Sequence, residues 1–550
     1  MIDLRRDRSP RPGPDWVRDA VFYQIFPDRF ASSVRVSKPG ALERWDAPPT
    51  SHGFKGGDLL GIAEHLDELA ELGITALYLN PVFASASNHR YHTFDYELVD
   101  PLLGGDAALR ELLDAAHSRG MKVILDGVFN HASRGFWPFH HVLENGAASP
   151  YRDWFVLDPE VLAGRRGLTA YPDIHEVDAI ERLKAADRTA GSGDGPGRAE
   201  RGGSSASRRI LGYEGWWDLP ALPKLNHANP EVREHIFGVA ERWLRFGIDG
   251  WRLDVPEEIS EPGFWEEFRR RCLAVNPEAY LVGEIWNPAP EWLNGSRFDG
   301  LMNYPLTEAI LSFTAAGKHD WDLVSRTHEY ASHVHAADGP EFGRLLADVM
   351  ATYTPEVTSL QLNLLDSHDT PRFISLAGGD VGALLLATLI QMTLPGAPCV
   401  YYGDEVGLAG REDPDCRRGY PWDVARQDRH VREFVAGLIA LRHAQPLLRR
   451  GRFEMLGGEG SAVAYAMFES EGVAQSVSEN LGIVVAINAG NKPVRLTLQH
   501  SGLADHRVEQ VSWSGSEWRA AFATRPPERG TLEVEIGARE GVVLGVRPTL

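Results

Sequence analysis

The segment "GIDGWRLDVPEEI", Gly247 to Ile259, sets Arg252 two residues before Asp254 in an apolar run too short and β-branched for a comfortable helix. On a strand, residues i and i+2 share a face, so this cation and anion point one way while Trp251, Leu253 and Val255 point the other. Burying charge is costly unless it is paired. Three other short apolar runs end in polar residues in the same manner: Asp126, Asn130 and His131 after "KVIL", Glu284 after "AYLVG", and His368 and Asp369 after "LNLLDS". Carboxylates brought to one cleft repel one another, and one is then pushed toward its protonated form. A proton-bearing carboxyl beside an ionised one is the equipment for cleaving a glycosidic bond: the first protonates the leaving oxygen, the second attacks or stabilises the anomeric carbon. Arg252 is expected to hold Asp254 ionised, and Glu284, crowded by anions and next to Trp286, to be the group whose pKa rises. The bland alternative, buried ion pairs or strand-end caps, explains Arg252 and Asp254 alone better than it explains four strand ends together.

The elements that must position these residues repeat along the chain. Runs at "AVFYQIFP", "ITALYLNP", "KVILDGVFN", "DGWRLDV", "AYLVGEI", "GLMNY", "LNLLDSHD" and "PCVYYGDE" read as eight strands. Between them lie helical patterns such as Leu59 to Leu72, Ala107 to Arg119, and Pro230 to Phe246, which opens with proline at a first-turn position. Eight such units predict an α/β fold, a (β/α)8 barrel, and a barrel of this kind places its chemistry at the C-terminal ends of the strands. The barrel is assigned to residues 1–130 and 227–440. Residues 131–226 are too long for a loop and predict an inserted subdomain between the third strand and its helix. Within it, Arg188 to Arg209 is rich in Gly, Ser and Arg and predicts a mobile loop. From 441 to 550 short alternating runs, "AVAYAMFE", "GIVVAINAG", "PVRLTLQ" and "GVVLGVRP", predict a C-terminal antiparallel β-sandwich.

Composition narrows the partners. A formal charge of −21 over 550 residues opposes nucleic acid and anionic lipid and favours a neutral partner. No run approaches a membrane span, the N-terminal "MIDLRRDRSPRPGP" lacks the apolar region of a signal peptide, and the expected compartment is the cytoplasm. Cys272, Cys399 and Cys416 have neither disulfide-framework nor CxxC spacing. The histidines of "HRYH" and "HH" do not complete a zinc set, so no catalytic metal and no organic cofactor is expected. Trp216 and Trp217 in "GYEGWWDLP" read equally as stacking platforms for sugar rings or as core packing, and Tyr401 and Tyr402 read as packing.

At "DGVFNH", "GWRLDV", "GEIW" and "LLDSHD", in that order, the chain resembles the alpha-amylase superfamily of retaining glycosidases, and the likeness runs from about Asp19 to the C-terminus. The resemblance implies Asp254 as nucleophile, Glu284 as general acid/base and Asp369 as a third carboxylate that binds sugar hydroxyls. It further implies a substrate-binding set of Tyr91, Asp126, His131, Arg252, Glu258, Trp286, His368 and Arg372, with Tyr91 stacking on the sugar ring and Glu258 and Trp286 on the leaving-group side. "LPKLN", "VFYQIFPDRF" and Trp286 are most similar to the neopullulanase, cyclomaltodextrinase and maltogenic amylase group, which acts on cyclodextrins, maltodextrins and pullulan. The implied activity is hydrolysis of α-1,4 and, by extension, α-1,6 glucosidic bonds. A transglycosylase or isomerase, an α-1,6-glucosidase, and, most remotely, an inactive glucan-binding protein are the alternatives.

The sequence departs from that group in three places. Only about 15 residues precede the first strand, so the N-terminal domain through which such enzymes dimerise is not expected. "FASSVRVSKPG" has few carboxylates where relatives often carry a calcium loop, so a structural calcium is not supported there. Glu257 and Asn287 differ from the residues expected at their positions.

Overall fold

Eight short strands, all parallel, run in the order β6-β5-β4-β3-β2-β1-β8-β7. They are β1 (Phe22–Ile25), β2 (Ala76–Leu79), β3 (Lys122–Gly127), β4 (Gly250–Leu253), β5 (Tyr280–Gly283), β6 (Gly300–Leu301), β7 (Leu362–Leu364) and β8 (Ala397–Tyr401). A parallel bridge from Met302 to Leu362 joins the two ends, so the sheet closes on itself as the (β/α)8 pattern requires. The computed structural model describes residues 13–190, 205–327, 329–469, 480–504, 506–511 and 530–548.

Alternation along each strand sorts the side chains. Phe22, Ala76, Tyr78, Ile124, Tyr280, Val282, Leu362, Leu364, Ala397 and Cys399 form one apolar cluster inside the barrel. Trp251, Leu253, Val123 and Leu125 belong instead to the larger core shared with the surrounding helices. The inward series Ile124 to Asp126 and Val282 to Glu284 shows the consequence: one step of two residues carries the lining from apolar to charged. At Gly250 the strand approaches β5 so closely that a Cβ would lie 2.1 Å from the Tyr280 carbonyl oxygen, and only glycine fits.

The helices differ in detail from the periodicity. The run Leu59 to Leu72 forms two helices, Leu59–Glu64 and Leu66–Leu72, broken at His65, and the next helix is Gly105–Ser118. Pro230–Phe246 keeps its expected bounds, with the Asn229 side chain accepting from the Glu231 N–H and Gly247 closing the end with φ 117°. Between β3 and β4 the chain makes helices Trp137–Asn145, Pro159–Leu162, Ile174–Ala190 and Ala206–Leu211. Both ends of the expected loop Arg188 to Arg209 are therefore helical, and residues 191–204 lie outside the described residues.

After β8 the helix Arg429–Ala444 leads into strands β9 (Arg452–Glu459), β10 (Ala462–Phe468), β11 (Gly482–Asn488), β12 (Val494–Gln499), β13 (His506–Gln510), β14 (Thr531–Ile536) and β15 (Glu540–Pro548). They form a five-stranded sheet, β9-β10-β11-β15-β13, and a two-stranded sheet, β12-β14, around a core that includes Ala464, Val484, Leu496, Val534 and Val542. Alternate residues of the same strands, Val463, Tyr465, Ile483 and Val485, face the other way and join the barrel's outer core.

Candidate active site

Arg252 is the hub. Its Nη1 donates to Asp126 Oδ1 at 2.8 Å and to Asp254 Oδ1 at 2.9 Å, and its Nη2 lies 2.8 Å from Glu284 Oε2. All four side chains are buried, the arginine completely. One guanidinium thus serves three carboxylates that come from β3, the end of β4 and the end of β5. Arg252 pulls Asp254 toward its ionised form, the direction the sequence implies, but its one charge is divided among three anions. Burial is the largest influence on Asp254 and raises its pKa well above the usual carboxylate range, against the pull of Arg252 and with the push of Glu284, Asp126 and Asp369. Burial also raises Glu284, opposed by Arg252 and helped by the charge of Asp369. Burial and mutual repulsion thus favour the protonated form at both neighbouring carboxyls, and Arg252 opposes them at both.

Hydrogen bonds distinguish the two groups. Glu284 Oε2 accepts the Val255 N–H at 3.1 Å, and Oε1 accepts from Trp286 Nε1 at 3.3 Å. Asp254 Oδ2 has no hydrogen-bond partner among the described residues. The Val255 N–H is aimed by a left-handed backbone, φ 33°, ψ 55°, at the turn that follows β4, an unusual conformation for a β-branched residue. Trp286 lies flat on Tyr304, centroids 3.7 Å apart and planes at 5°, which fixes the indole that reaches Glu284.

A second network meets the first at Asp126. Tyr91 Oη donates to Asp126 Oδ2 at 2.8 Å and lies 2.5 Å from His368 Nε2, with its ring stacked on that imidazole at 5.2 Å. His368 Nε2 is also 2.8 Å from Asp369 Oδ2, and its Nδ1 is 3.0 Å from Gln24 Nε2. Asp369 is the most open of the carboxylates; burial works to raise its pKa, but His368 and Arg417 prevail and hold it well below the usual range. Burial lowers the pKa of His131 to about 3, so its imidazole is neutral, and it lies flat against Trp216 at 4.7 Å. Its Nε2 has no partner among the described residues.

The structure brings Tyr91, Asp126, Arg252, Asp254, Glu284, Trp286, His368 and Asp369 into one contacting network, with His131 beside it at the end of β3. Glu258 sits on the turn after β4, 3.4 Å from Lys224 Nζ. Arg372 belongs elsewhere. It is fully buried, donates to the Tyr402 and Cys416 carbonyls and to Asp404 Oδ1, and lies over the rings of Tyr401 and Tyr402, so its hydrogen bonds join the β8 loops rather than the carboxylate cluster.

Sequence reasoning passed over four members. Gln24, Tyr78 and Asn80 stand at the ends of β1 and β2, where Tyr78 Oη donates to Asp126 Oδ2 at 2.8 Å and Asn80 Oδ1 accepts from Gln24 at 3.2 Å. Their signal was present, since Tyr78 and Asn80 share the i, i+2 relation used for Arg252 and Asp254. Arg417 gave none: it comes from the loop after β8, donates to the His368 carbonyl at 2.8 Å and contacts Asp369 Oδ1 at 3.3 Å.

The loop after β1 carries its own cation. Lys38 Nζ donates to the Leu102 carbonyl at 2.7 Å and lies 3.0 Å from Asp58 Oδ2, which also accepts the Ser33 N–H, while Asp58 Oδ1 accepts that of Gly61. Calcium asks for six to eight oxygens. Here the anionic oxygen is taken by an ammonium and an amide, so these residues do not fit a calcium ion.

Comparison with known proteins identifies the family. Residues 24–450 match the alpha amylase catalytic domain. The chain is 38% identical over 487 residues to a cyclomaltodextrinase of Geobacillus thermopakistaniensis (strain MAS1), covering 88% of this chain and 71% of the relative. It is 38% identical over 491 residues to neopullulanase 2 of Thermoactinomyces vulgaris, covering 89% and 73%. Among solved structures, the Nostoc punctiforme debranching enzyme superposes with a TM-score of 0.79 at 41% identity, over 97% of this chain and 99% of that one.

Proposed function

The chain belongs to the alpha-amylase family of glycoside hydrolases, and from that premise we propose that it hydrolyses short or cyclic α-glucans with retention of configuration. The observation that carries this reading is the single guanidinium shared by Asp126, Asp254 and Glu284, beside an Asp254 Oδ2 with no partner among the described residues and a Glu284 whose pKa burial raises against the pull of Arg252. Glu284 gives its proton to the glycosidic oxygen. Asp254 Oδ2 attacks the anomeric carbon as the leaving sugar departs, forming a covalent glycosyl-enzyme. Water, activated by the now ionised Glu284, then releases the product. Asp369, kept ionised by His368 and Arg417, holds sugar hydroxyls and favours the oxocarbenium-like state. His131 Nε2, without a protein partner, offers a hydrogen bond to the same sugar ring, and Glu258 with Lys224 lines the leaving-group side.

The likeness to cyclomaltodextrinase and neopullulanase supports cyclodextrins, maltodextrins and pullulan as substrates; the likeness to a debranching enzyme supports α-1,6 cleavage as a second reading. Cytoplasmic residence fits three buried free thiols, with Cys416 pushed by burial up to about 12, and no described helix is long and apolar enough to cross a membrane. A chromatographic time course on β-cyclodextrin, maltotriose, pullulan, soluble starch and isomaltose tests the proposal. Ring opening or pullulan cleavage that disappears in Glu284→Gln supports it; activity confined to isomaltose, products longer than the substrates, or activity that survives in the variant overturns it.

A further inference from the structure

Trp217 presents a large indole to solvent, 60% exposed, from a backbone in the left-handed region at φ 54°, ψ 24°, and Asp218 follows at φ 59°. Bulky residues rarely adopt that conformation, and an exposed indole gains little from burial to offset it. The local structure nevertheless over-determines the turn. The Trp216 N–H donates to the Leu222 carbonyl at 2.8 Å and the Asp218 N–H to that of Gly215 at 2.9 Å. Asp218 Oδ1 accepts the Ser207 N–H, and the Gly215 N–H donates to Ser207 Oγ. At Gly215 a Cβ would lie 2.4 Å from the Leu219 carbonyl oxygen, so the loop closes on a glycine. Strain held this firmly is a mark of use.

The rings form a ladder. His131 lies against Trp216 with planes at 9°, and Trp216 against Trp217 at 5.0 Å and 24°. The inner rung belongs to the carboxylate cleft, and the outer rung faces solvent on the inserted segment. That segment pairs with the cleft through the bridge from His131 to Lys224, whose ammonium reaches Glu258, so the ladder stands on the Glu258 side. One face of Trp217 is covered by Trp216. With the indole 60% exposed, the remaining surface is flat, apolar and open to solvent, suited to the C–H face of a pyranose.

We propose that Trp217 is a platform for an outlying glucosyl unit of the substrate on the leaving-group side, beyond Glu258 and Lys224. This inference rests on the α-glucan reading of the site and names the part of the chain that the outer wall grips. It makes Trp217 a specificity-determining residue that favours long over short leaving groups, and in a transfer reaction long over short acceptors.

The test compares parent enzyme, Trp217→Phe and Trp217→Ala on an aryl α-maltoside, whose leaving group ends short of the platform, and on maltohexaose. The expected result is a KM for maltohexaose raised about 3- to 10-fold in Trp217→Ala, mostly restored in Trp217→Phe, with aryl maltoside kinetics and Tm close to the parent's. Equal loss on both substrates would show that the indole only supports His131 through Trp216, and no change on either would show a surface residue; both overturn the proposal. Turnover of the aryl maltoside by the parent tests the α-glucan reading separately. Quenching of indole fluorescence by maltohexaose, present in Glu284→Gln and reduced when Trp217→Phe is added, reports the platform even if that reading fails.

Discussion

The floor and the wall of the cleft are built on opposite terms. The floor consists of strand ends whose charged groups are buried and tied to one another, so that Arg252, Asp126, Asp254 and Glu284 have no freedom to adjust. The wall, drawn from the segment between β3 and β4, is aromatic, open and held by turn geometry at Trp217. Fixed charge suits a reaction whose bond-making atoms must not move, since preorganised groups cost no reorganisation during the reaction. An open, non-directional apolar surface suits a polymer that arrives in several lengths. Substitutions in the floor are therefore expected to change rate, and those in the wall to change chain-length preference.

The largest effect expected is at Asp254. Asp254→Asn should lower kcat/KM by at least about 10⁴-fold, the scale of losing a covalent nucleophile. The same variant should be more resistant to heat at pH 7. The Asp254 pKa is raised in the folded protein relative to its unfolded value of about 3.9, so ionisation destabilises the fold as pH rises through that interval. The stabilising effect of Asn should therefore shrink as the pH falls toward 4 and vanish below it. Thermal unfolding of both proteins across that range checks the sign; a Tm of the variant below the parent's at pH 7 would break the contrast between a costly floor and a neutral wall.

Arg252→Met comes next. It leaves three buried carboxylates without their common cation, and the expected loss is about 3–5 kcal/mol in urea unfolding together with loss of turnover. Stability equal to the parent's would mean that Asp126, not Arg252, organises the floor through Tyr78 and Tyr91. The smallest effect is expected in the loop after β1, where Lys38→Met should cost about 1–3 kcal/mol because Asp58 keeps its amide donors. The parent's Tm should be the same with a chelator or with added calcium. A parent stabilised by calcium would show that the loop holds a metal after all.

Much of the floor was legible in the chain because strands project alternate residues to one side, and the C-terminal ends of barrel strands have a known use. That logic reached Asp126, Arg252, Asp254, Glu284, His368 and Asp369 directly, and would have reached Tyr78 and Asn80 had it been applied to β2. It could not reach Arg417, whose contact with Asp369 depends on how a long loop folds back over β7. Arg372 shows the reverse: the resemblance put it in the substrate-binding set, whereas tertiary packing under Tyr401 and Tyr402 claimed the guanidinium. The upward push on Glu284 was anticipated from crowding, whereas the stronger push on Asp254 was not, because it comes from burial rather than from residue types.

The hydrogen bond between Gln24 and His368 joins positions 344 residues apart. The two partners come from the first and seventh strands, so the nascent chain must emerge almost to the end of the barrel before His368 can be oriented. Contacts of such separation pay their loop-closure entropy late, which makes closure of the ring a slow and terminal event in folding. Until then the apolar inner faces of six or more strands are available to one another and to other chains, the condition that makes folding intermediates prone to aggregate. Synthesis interrupted before β7 would leave Asp254 and Glu284 with Arg252 but without His368 and Asp369, and the ring would stay open.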